Sequence, residues 1–375
     1  MKKQKLLFFV TEDWYFCSHR LPLAIAAKEA GYDVSVVTHV SSHGEQITAA
    51  GLTLIPVDLS RRGMNPLAEM RLIGRLISIY RLQHPDIVHH VALKPVLYGT
   101  IAAFFAKVHV VINALAGLGF LFTSPKFKAR FLRPAVKQIF RLLLNRQNSR
   151  VILQNPDDVA TLVAGGVLSQ ERITLIRGSG VDPRQFIVQP EPDGDPIVIL
   201  ASRLLWDKGV GEFVAAARQL RSQGIKAKFV LVGDGDPENP AAISDQQLQQ
   251  WHNDGDIEWW GRRGNMPEIL SGSHIVCLPS YREGLPKVLI EAASCGRPIV
   301  TTDAPGCREI VQDGINGFLV PVRDATAVAE ALKKLIESPE LRRCMGTKGR
   351  ELVENEFTLE KVNTATLQLY TEMLS

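Results

Sequence analysis

The amino-acid sequence predicts an α/β protein made of two doubly wound, Rossmann-like domains in tandem. Three observations lead there. Short β-branched apolar runs alternate with helix-period segments along all 375 residues, which is the rhythm of βαβ units around a parallel sheet. Each run is nearly continuous in apolar residues, as in strands covered by helices on both faces. The series breaks once, at a Pro/Asp/Gly-rich stretch from Gln189 to Pro196, where a domain boundary is expected.

The first series opens with LLFFV (Leu6 to Val10), a helix over Leu21–Ala30 closed by Gly31, and VSVVT (Val34 to Thr38). It continues through LTLIPV, DIVHHV, VHVVINAL and RVILQ. After ITLIRGSGVDP the second series runs IVILAS, KFVLVG, IEWWG, HIVCLPS, RPIVTTD and GFLVP. Residues from Glu351 onward read as a pair of helical segments free to pack on either domain. The expected division is 1–185 for an N-terminal Rossmann-like domain, 186–355 for a C-terminal Rossmann-like domain, and 356–375 for a helix that can pack back on the first.

Composition bounds the function. At 46% hydrophobic and 22% charged residues the chain builds a real core, which excludes disordered and fibrous classes. Five scattered cysteines, at 17, 277, 295, 307 and 344, offer neither a disulfide framework nor a C-x-x-C zinc site, so a reducing cytoplasm is expected. Lysines precede the first apolar run, but Thr11, Glu12 and Asp13 end it too early for a signal-peptide core. No run of 18 apolar residues exists; Val108–Phe122 contains His109 and Asn113, so no membrane span is expected. Charge splits the chain: residues 1–180 carry 22 Lys and Arg against 11 Asp and Glu, the remainder 21 against 28. Between Asp86 and Asp157 there is no carboxylate, a one-sign block that points to an anionic partner.

Three motifs in the second series carry chemistry. In ILASRLLWDKG, Arg203 and Lys208 follow the first strand; a forked guanidinium and a point-charge ammonium on one βα loop suit a diphosphate, and equally describe solvated loop charges. In PSYREGLPKVLIEAASCGRPIV a strand ends at Ser280, Pro286 opens a helix and Gly296 closes it. Glu283 in the loop and Glu291 in the helix can share a crevice at the carboxyl edge of the sheet, and a carboxylate accepts two hydrogen bonds from vicinal sugar hydroxyls. Glu291 is flanked by Leu289, Ile290, Ala292 and Ala293, where a merely solvated acid is unexpected. VGDGDPE lacks the third glycine of a dinucleotide fingerprint and sets Asp234, Asp236 and Glu238 where a pyrophosphate would be repelled, so a turn is read there and NAD is disfavoured. His89 and His90 point to opposite faces of a strand and make no metal site. No D-x-D pair lies in a donor loop, so no metal and no cofactor are expected.

RLLWDKG, VGDGDP, GRRGNMPEIL and LPSYREGLPKVLIEAASCGRPIVTTDAPGCREIVQDGINGFLVPVRD, in that order, resemble the family 4 retaining glycosyltransferases of GT-B fold, tightly over about residues 196–350. The resemblance implies that Arg203 and Lys208 hold the donor diphosphate. It implies that Glu283, with the Gly284 and Leu285 backbone, faces the donor hexose or phosphates, and that Glu291 takes the ribose hydroxyls. FVTEDWYFCSHRLPLA, DLSRRGMNP, HHVALKP and NALAGLGFLF are similar to the branch adding N-acetylgalactosamine or a related sugar to undecaprenyl-diphosphate sugars. The first loop lacks the Gly-Gly pair of many relatives, and Ala116 stands where others carry a histidine. His19 is the substitute catalytic candidate, opposed by an ordinary structural role; Arg61, Arg62 and Lys94 are candidate acceptor-phosphate contacts, opposed by plain surface charge.

The implied reaction moves a hexosyl group, with retention, from a UDP-sugar to an undecaprenyl-diphosphate-linked acceptor in bacterial glycan assembly. The basic segment Lys126–Gln147, which Pro134 is expected to break or start, would dock an otherwise cytoplasmic enzyme on the anionic inner membrane face. A nucleotide-sugar epimerase of the same shape is the alternative, and nucleic-acid binding is disfavoured by the acidic second domain.

Overall fold

The computed structural model describes residues 3–59, 65–117, 127–237 and 239–375, with residues 127–133 described by backbone alone. Contacts divide the chain into two compact units: Met1–Ser179 with Leu359–Ser375, and Gly180–Thr358.

In the first unit the order is β1 (Lys5–Glu12), α1 (Asp13–His19), α2 (Leu21–Glu29), β2 (Asp33–His39), α3 (Gly44–Ala49), β3 (Thr53–Pro56), α4 (Pro66–Gln83), β4 (Ile87–Val91), α5 (Leu93–Ala106), β5 (Val110–Leu115), α6 (Phe127–Leu144), β6 (Ser149–Leu153), α7 (Pro156–Ala164) and β7 (Ile173–Leu175). The seven strands are parallel in the order β3-β2-β1-β4-β5-β6-β7. Alternate residues of β1 feed opposite cores: Leu6, Phe8 and Val10 one, Leu7 and Phe9 the other. This two-faced burial is why the strands lack polar alternation. Helix starts are set locally, as where the Asn65 side chain accepts from Leu67 N at 3.1 Å ahead of Pro66. Pro134 neither breaks nor starts α6 but lies inside it. One missing N–H is tolerated because the later turns bury Phe140 and Leu144 in a cluster with Val151 and Leu162.

The second unit continues with β8 (Ile197–Ala201), α8 (Val210–Ser222), β9 (Lys228–Val232), α9 (Asp245–Asn253), β10 (Glu258–Trp259), α10 (Met266–Ser271), β11 (Ile275–Leu278), α11 (Lys287–Ser294), β12 (Ile299–Thr302), β13 (Gly317–Val320), α12 (Ala325–Glu337) and α13 (Pro339–Glu356). Its six parallel strands run β10-β9-β8-β11-β12-β13. The Pro-rich stretch before β8 is not a loose linker. Arg342 grips Glu191 with two hydrogen bonds, Nε to Oε1 at 2.9 Å and Nη2 to Oε2 at 2.7 Å, and Arg297 Nη2 donates to Gln189 O at 2.8 Å. Burial opposes ionisation of Glu191, yet the Arg342 bonds and charge hold its carboxyl below the usual range.

The last helix, α14 (Leu359–Leu374), joins the first unit, packing on α2. Its Tyr370 hydroxyl shares a 2.5 Å hydrogen bond with His89 Nδ1, both side chains fully buried. Burial, then the Arg20 and His90 charges, depresses the His89 imidazole well below its ordinary pKa, so it is neutral. His90, on the opposite face, bonds Tyr80 Oη at 3.1 Å and Asn113 Oδ1 at 2.8 Å. Among the described residues no helix is long and apolar enough to cross a membrane.

Tyr370→Phe leaves a buried imidazole nitrogen without its partner, a cost of about 1–3 kcal/mol. The melting temperature is expected to fall by roughly 2–8 °C; an unchanged melt in a scanning calorimeter would show that the hydroxyl does not hold α14.

Candidate active site

The strand order of the second unit reverses between β8 and β11. From β8 the chain crosses over one way and from β11 the other, so the loops leaving these neighbours diverge and open a crevice at the carboxyl edge, the place where open α/β sheets bind ligands. Arg203 and Lys208 lie on the first loop, Glu283 on the second.

A few close approaches hold the two loops together. Gly209, at φ +73°, sits so near the second loop that an added Cβ would stand 2.1 Å from Pro279 O. Asp207 O accepts from Tyr281 N at 2.9 Å and from Ser280 Oγ at 3.2 Å. On the far side Glu283 N donates to Pro305 O at 3.1 Å. This lacing brings Lys208 Nζ onto Glu283 Oε1 as an ion pair, and the same oxygen accepts from Ser280 Oγ at 2.8 Å. Both side chains of the pair are largely buried, at 17% and 13% exposure. The Glu283 charge registers on its neighbour Cys307: burial first and that carboxylate second push the thiol up to about 12, which keeps it protonated and unreactive.

Arg203 is held differently. Its Nη1 donates to Asp236 Oδ2 at 2.9 Å, from the loop after β9. The sequence reading of that segment as a turn missed this partnership, because the acid there meets a cation rather than repelling a pyrophosphate. Leu204 N donates to Asp234 O at 2.9 Å, Ile243 N to Leu204 O at 3.0 Å and Trp206 N to Ala241 O at 2.8 Å, stitching the β8 and β9 loops together.

Gly284 and Leu285 are buried between Glu283 and α11. Glu291 sits within α11 with a side chain 9% exposed, paired to Lys287 Nζ at 2.8 Å one helical turn earlier. Burial raises its carboxyl above the ordinary range, against the pull of Lys287. Glu283 and Glu291 are thus each matched to a lysine. The i, i+4 spacing of Lys287 and Glu291 was the signal that predicts the second pair.

In the first unit, His19 ends α1 beyond the carboxyl end of β1. Its ring stacks on Tyr15, centroids 4.2 Å apart, and Nδ1 lies 2.6 Å from Ser18 Oγ. Asp13, read from sequence only as the end of an apolar run, organises this loop. Fully buried, it accepts from Trp14 N, Ser41 N, Ser41 Oγ and His43 N at 2.7–2.8 Å; burial opposes its ionisation, but these bonds keep its pKa lowered. Lys94 is salt-bridged to Glu69 at 2.9 Å. Ala116 follows β5 and is half-buried. Arg61 and Arg62 lie outside the described residues. Among the described residues, no three His, Cys, Asp or Glu side chains gather as a metal site.

Two parallel doubly wound units, one with Arg203 and Lys208 on a loop at its switch point, have the architecture of GT-B enzymes. Residues 181–352 match the group 1 glycosyl transferases and residues 5–155 the glycosyl transferase 4-like family, so the chain belongs to family 4 of these enzymes. It is similar to the N,N'-diacetylbacillosaminyl-diphospho-undecaprenol alpha-1,3-N-acetylgalactosaminyltransferase of Campylobacter jejuni, 29% identical over 86% of this chain and 87% of that one. It is also similar to the UDP-Gal:alpha-D-GlcNAc-diphosphoundecaprenol alpha-1,3-galactosyltransferase of Escherichia coli, 27% identical over 84% and 82%. The crystal structure of Anabaena Alr3699/HepE in complex with UDP and glucose shares the fold, with a TM-score of 0.77 at 18% identity over 98% of this chain and 99% of that one.

A carboxyl whose folded pKa is raised binds its proton more tightly folded than unfolded, so it favours folding at low pH and costs stability as pH rises. Glu291→Gln removes that cost: its melting temperature is expected above wild type at about pH 8 and level with it near pH 4. A variant less stable than wild type at both would mean that the Lys287 pair outweighs the burial.

Proposed function

We propose that this glycosyltransferase moves a hexosyl or N-acetylhexosaminyl group, with retention, from a UDP-sugar to a sugar carried on undecaprenyl diphosphate, at the inner face of the cytoplasmic membrane. The observation that carries the donor half is the placement of Arg203 and Lys208 on one loop at the switch point. As the glycosidic bond breaks, negative charge grows on the departing phosphate, and two preorganised cations with the first amides of α11 stabilise it. On this reading Glu283 and the Gly284–Leu285 backbone face the donor sugar, Glu291 meets the ribose and His19 stands on the acceptor side. Retention without a carboxylate nucleophile follows if the acceptor hydroxyl attacks from the leaving-group face and the departing phosphate takes its proton. Because the cations carry the charge, the reading requires no metal ion.

The acceptor half is supported by what the Campylobacter and Escherichia relatives are named for, diphospho-undecaprenol sugars, and by the excess of cations in residues 1–180. Several Lys and Arg near an anionic leaflet contribute about 1 kcal/mol each, enough to hold a protein there without a span.

Arg203→Ala and Lys208→Ala are each expected to lower turnover about 10²–10³-fold, as loss of one preorganised donor does; full activity in both would remove the clamp. In a transfer assay with purified enzyme, a polyprenyl-diphosphate sugar should be used in preference to the same sugar free in water. Binding to anionic vesicles should be released by high salt, and EDTA should change the rate by less than about twofold. Preference for the water-soluble acceptor would reject the lipid-linked reading.

A further inference from the structure

We propose that Asp236 is a positioning residue for the transfer: its carboxylate holds the Arg203 guanidinium in the orientation that presents its remaining donors to the diphosphate. This rests on the reading that Arg203 meets a diphosphate. The pair is unequal in a telling way. The Asp236 side chain is 9% exposed and that of Arg203 43%, so a buried anion stands behind a cation that reaches the solvent. A buried carboxylate deprived of its cation is costly, which pins one edge of the guanidinium to Asp236. Only Nη1 is engaged; Nε and Nη2 donate to no described residue, and a planar fork fixed at one nitrogen keeps its other N–H groups in a set direction. An unrestrained arginine at this exposure samples many rotamers, and ordering them on each binding event weakens the ligand.

The pair is not required to hold the loops. Three backbone hydrogen bonds already join the β8 and β9 loops, and Asp236 O separately accepts from Asn239 N at 2.7 Å. What the side-chain pair adds is the direction of the guanidinium. The segment from Gly233 to Asp236 thus acts at the diphosphate indirectly, with its acid placed behind the arginine rather than facing the phosphates.

The test is a double-mutant cycle on the full-length enzyme, reading UDP affinity by calorimetry, kcat and KM in transfer, and the thermal melt. Asp236→Ala is expected to weaken UDP about tenfold and to lower kcat/KM about 10–100-fold, in line with the cost of misplacing a site group by an ångström. Added to Arg203→Ala, the same change should shift neither quantity by more than about twofold, because a residue acting through Arg203 has nothing left to act on. Asp236→Asn keeps the size and an acceptor oxygen and should recover most of the UDP affinity; if Asp236→Ala loses its cooperative melt, the cycle is read with Asp236→Leu, which fills the buried space but offers Arg203 no acceptor. Wild-type behaviour of Asp236→Ala, or an equal loss in both backgrounds, overturns the proposal. If Arg203→Ala weakens UDP while Asp236→Ala does not, the donor reading stands and only the positioning role falls. If the wild-type enzyme binds no UDP, both fall together.

Discussion

Everything at the site depends on one constraint, that parallel neighbours in a sheet cannot be joined by a tight turn. Each strand must return by a crossover of a dozen or more residues, usually a helix, and all crossovers have the same hand. Every strand therefore delivers its carboxyl end to one edge, and where the winding changes direction the two loops part. In the second unit that point lies between Ile197–Ala201 and Ile275–Leu278. The positions of Arg203, Lys208 and Glu283 are consequences of topology before they are consequences of chemistry.

The charges at this edge come in matched pairs. Lys208 meets Glu283, Arg203 meets Asp236 and Lys287 meets Glu291. A carboxylate beside each cation neutralises it and fixes where it stands. The arrangement differs from a surface salt-bridge network in its burial: each anion is at most 13% exposed. Pairs with so buried an anion hold geometry more than they stabilise the fold.

The alternation of strands and helices was legible because burial on both faces leaves a pattern of period and length that composition carries directly. Arg203, Lys208, Glu283 and Glu291 were legible as candidates because each falls a fixed distance past a strand or a helix start. Their partners were harder. Asp236 lies 33 residues from Arg203, and nothing local reveals that their loops adjoin until β8 and β9 are known to be neighbours. Pro134 misled for the opposite reason: its local penalty is real, but the packing of Phe140 and Leu144 outweighs it. Asp13 looked like the end of a strand, since its work is done with Ser41 and His43, which follow the next strand.

The first unit is assembled from two pieces of chain, residues up to Ser179 and those from Leu359 onward, with the whole second unit inserted between them. Synthesis from the N-terminus makes the second unit's 180–358 segment continuous and available to fold as soon as it emerges. The first unit must wait. Its seven strands exist long before the last helix, which packs on α2 and adds Val362, Leu369 and Tyr370 to the core around Leu6, Phe8 and Val10, and His89 meets Tyr370 across 281 residues. On the ribosome this places the final closure of the N-terminal core among the last events of biogenesis. During that interval the apolar surface that Val362, Leu369 and Tyr370 will cover is open, a natural target for chaperones and proteases.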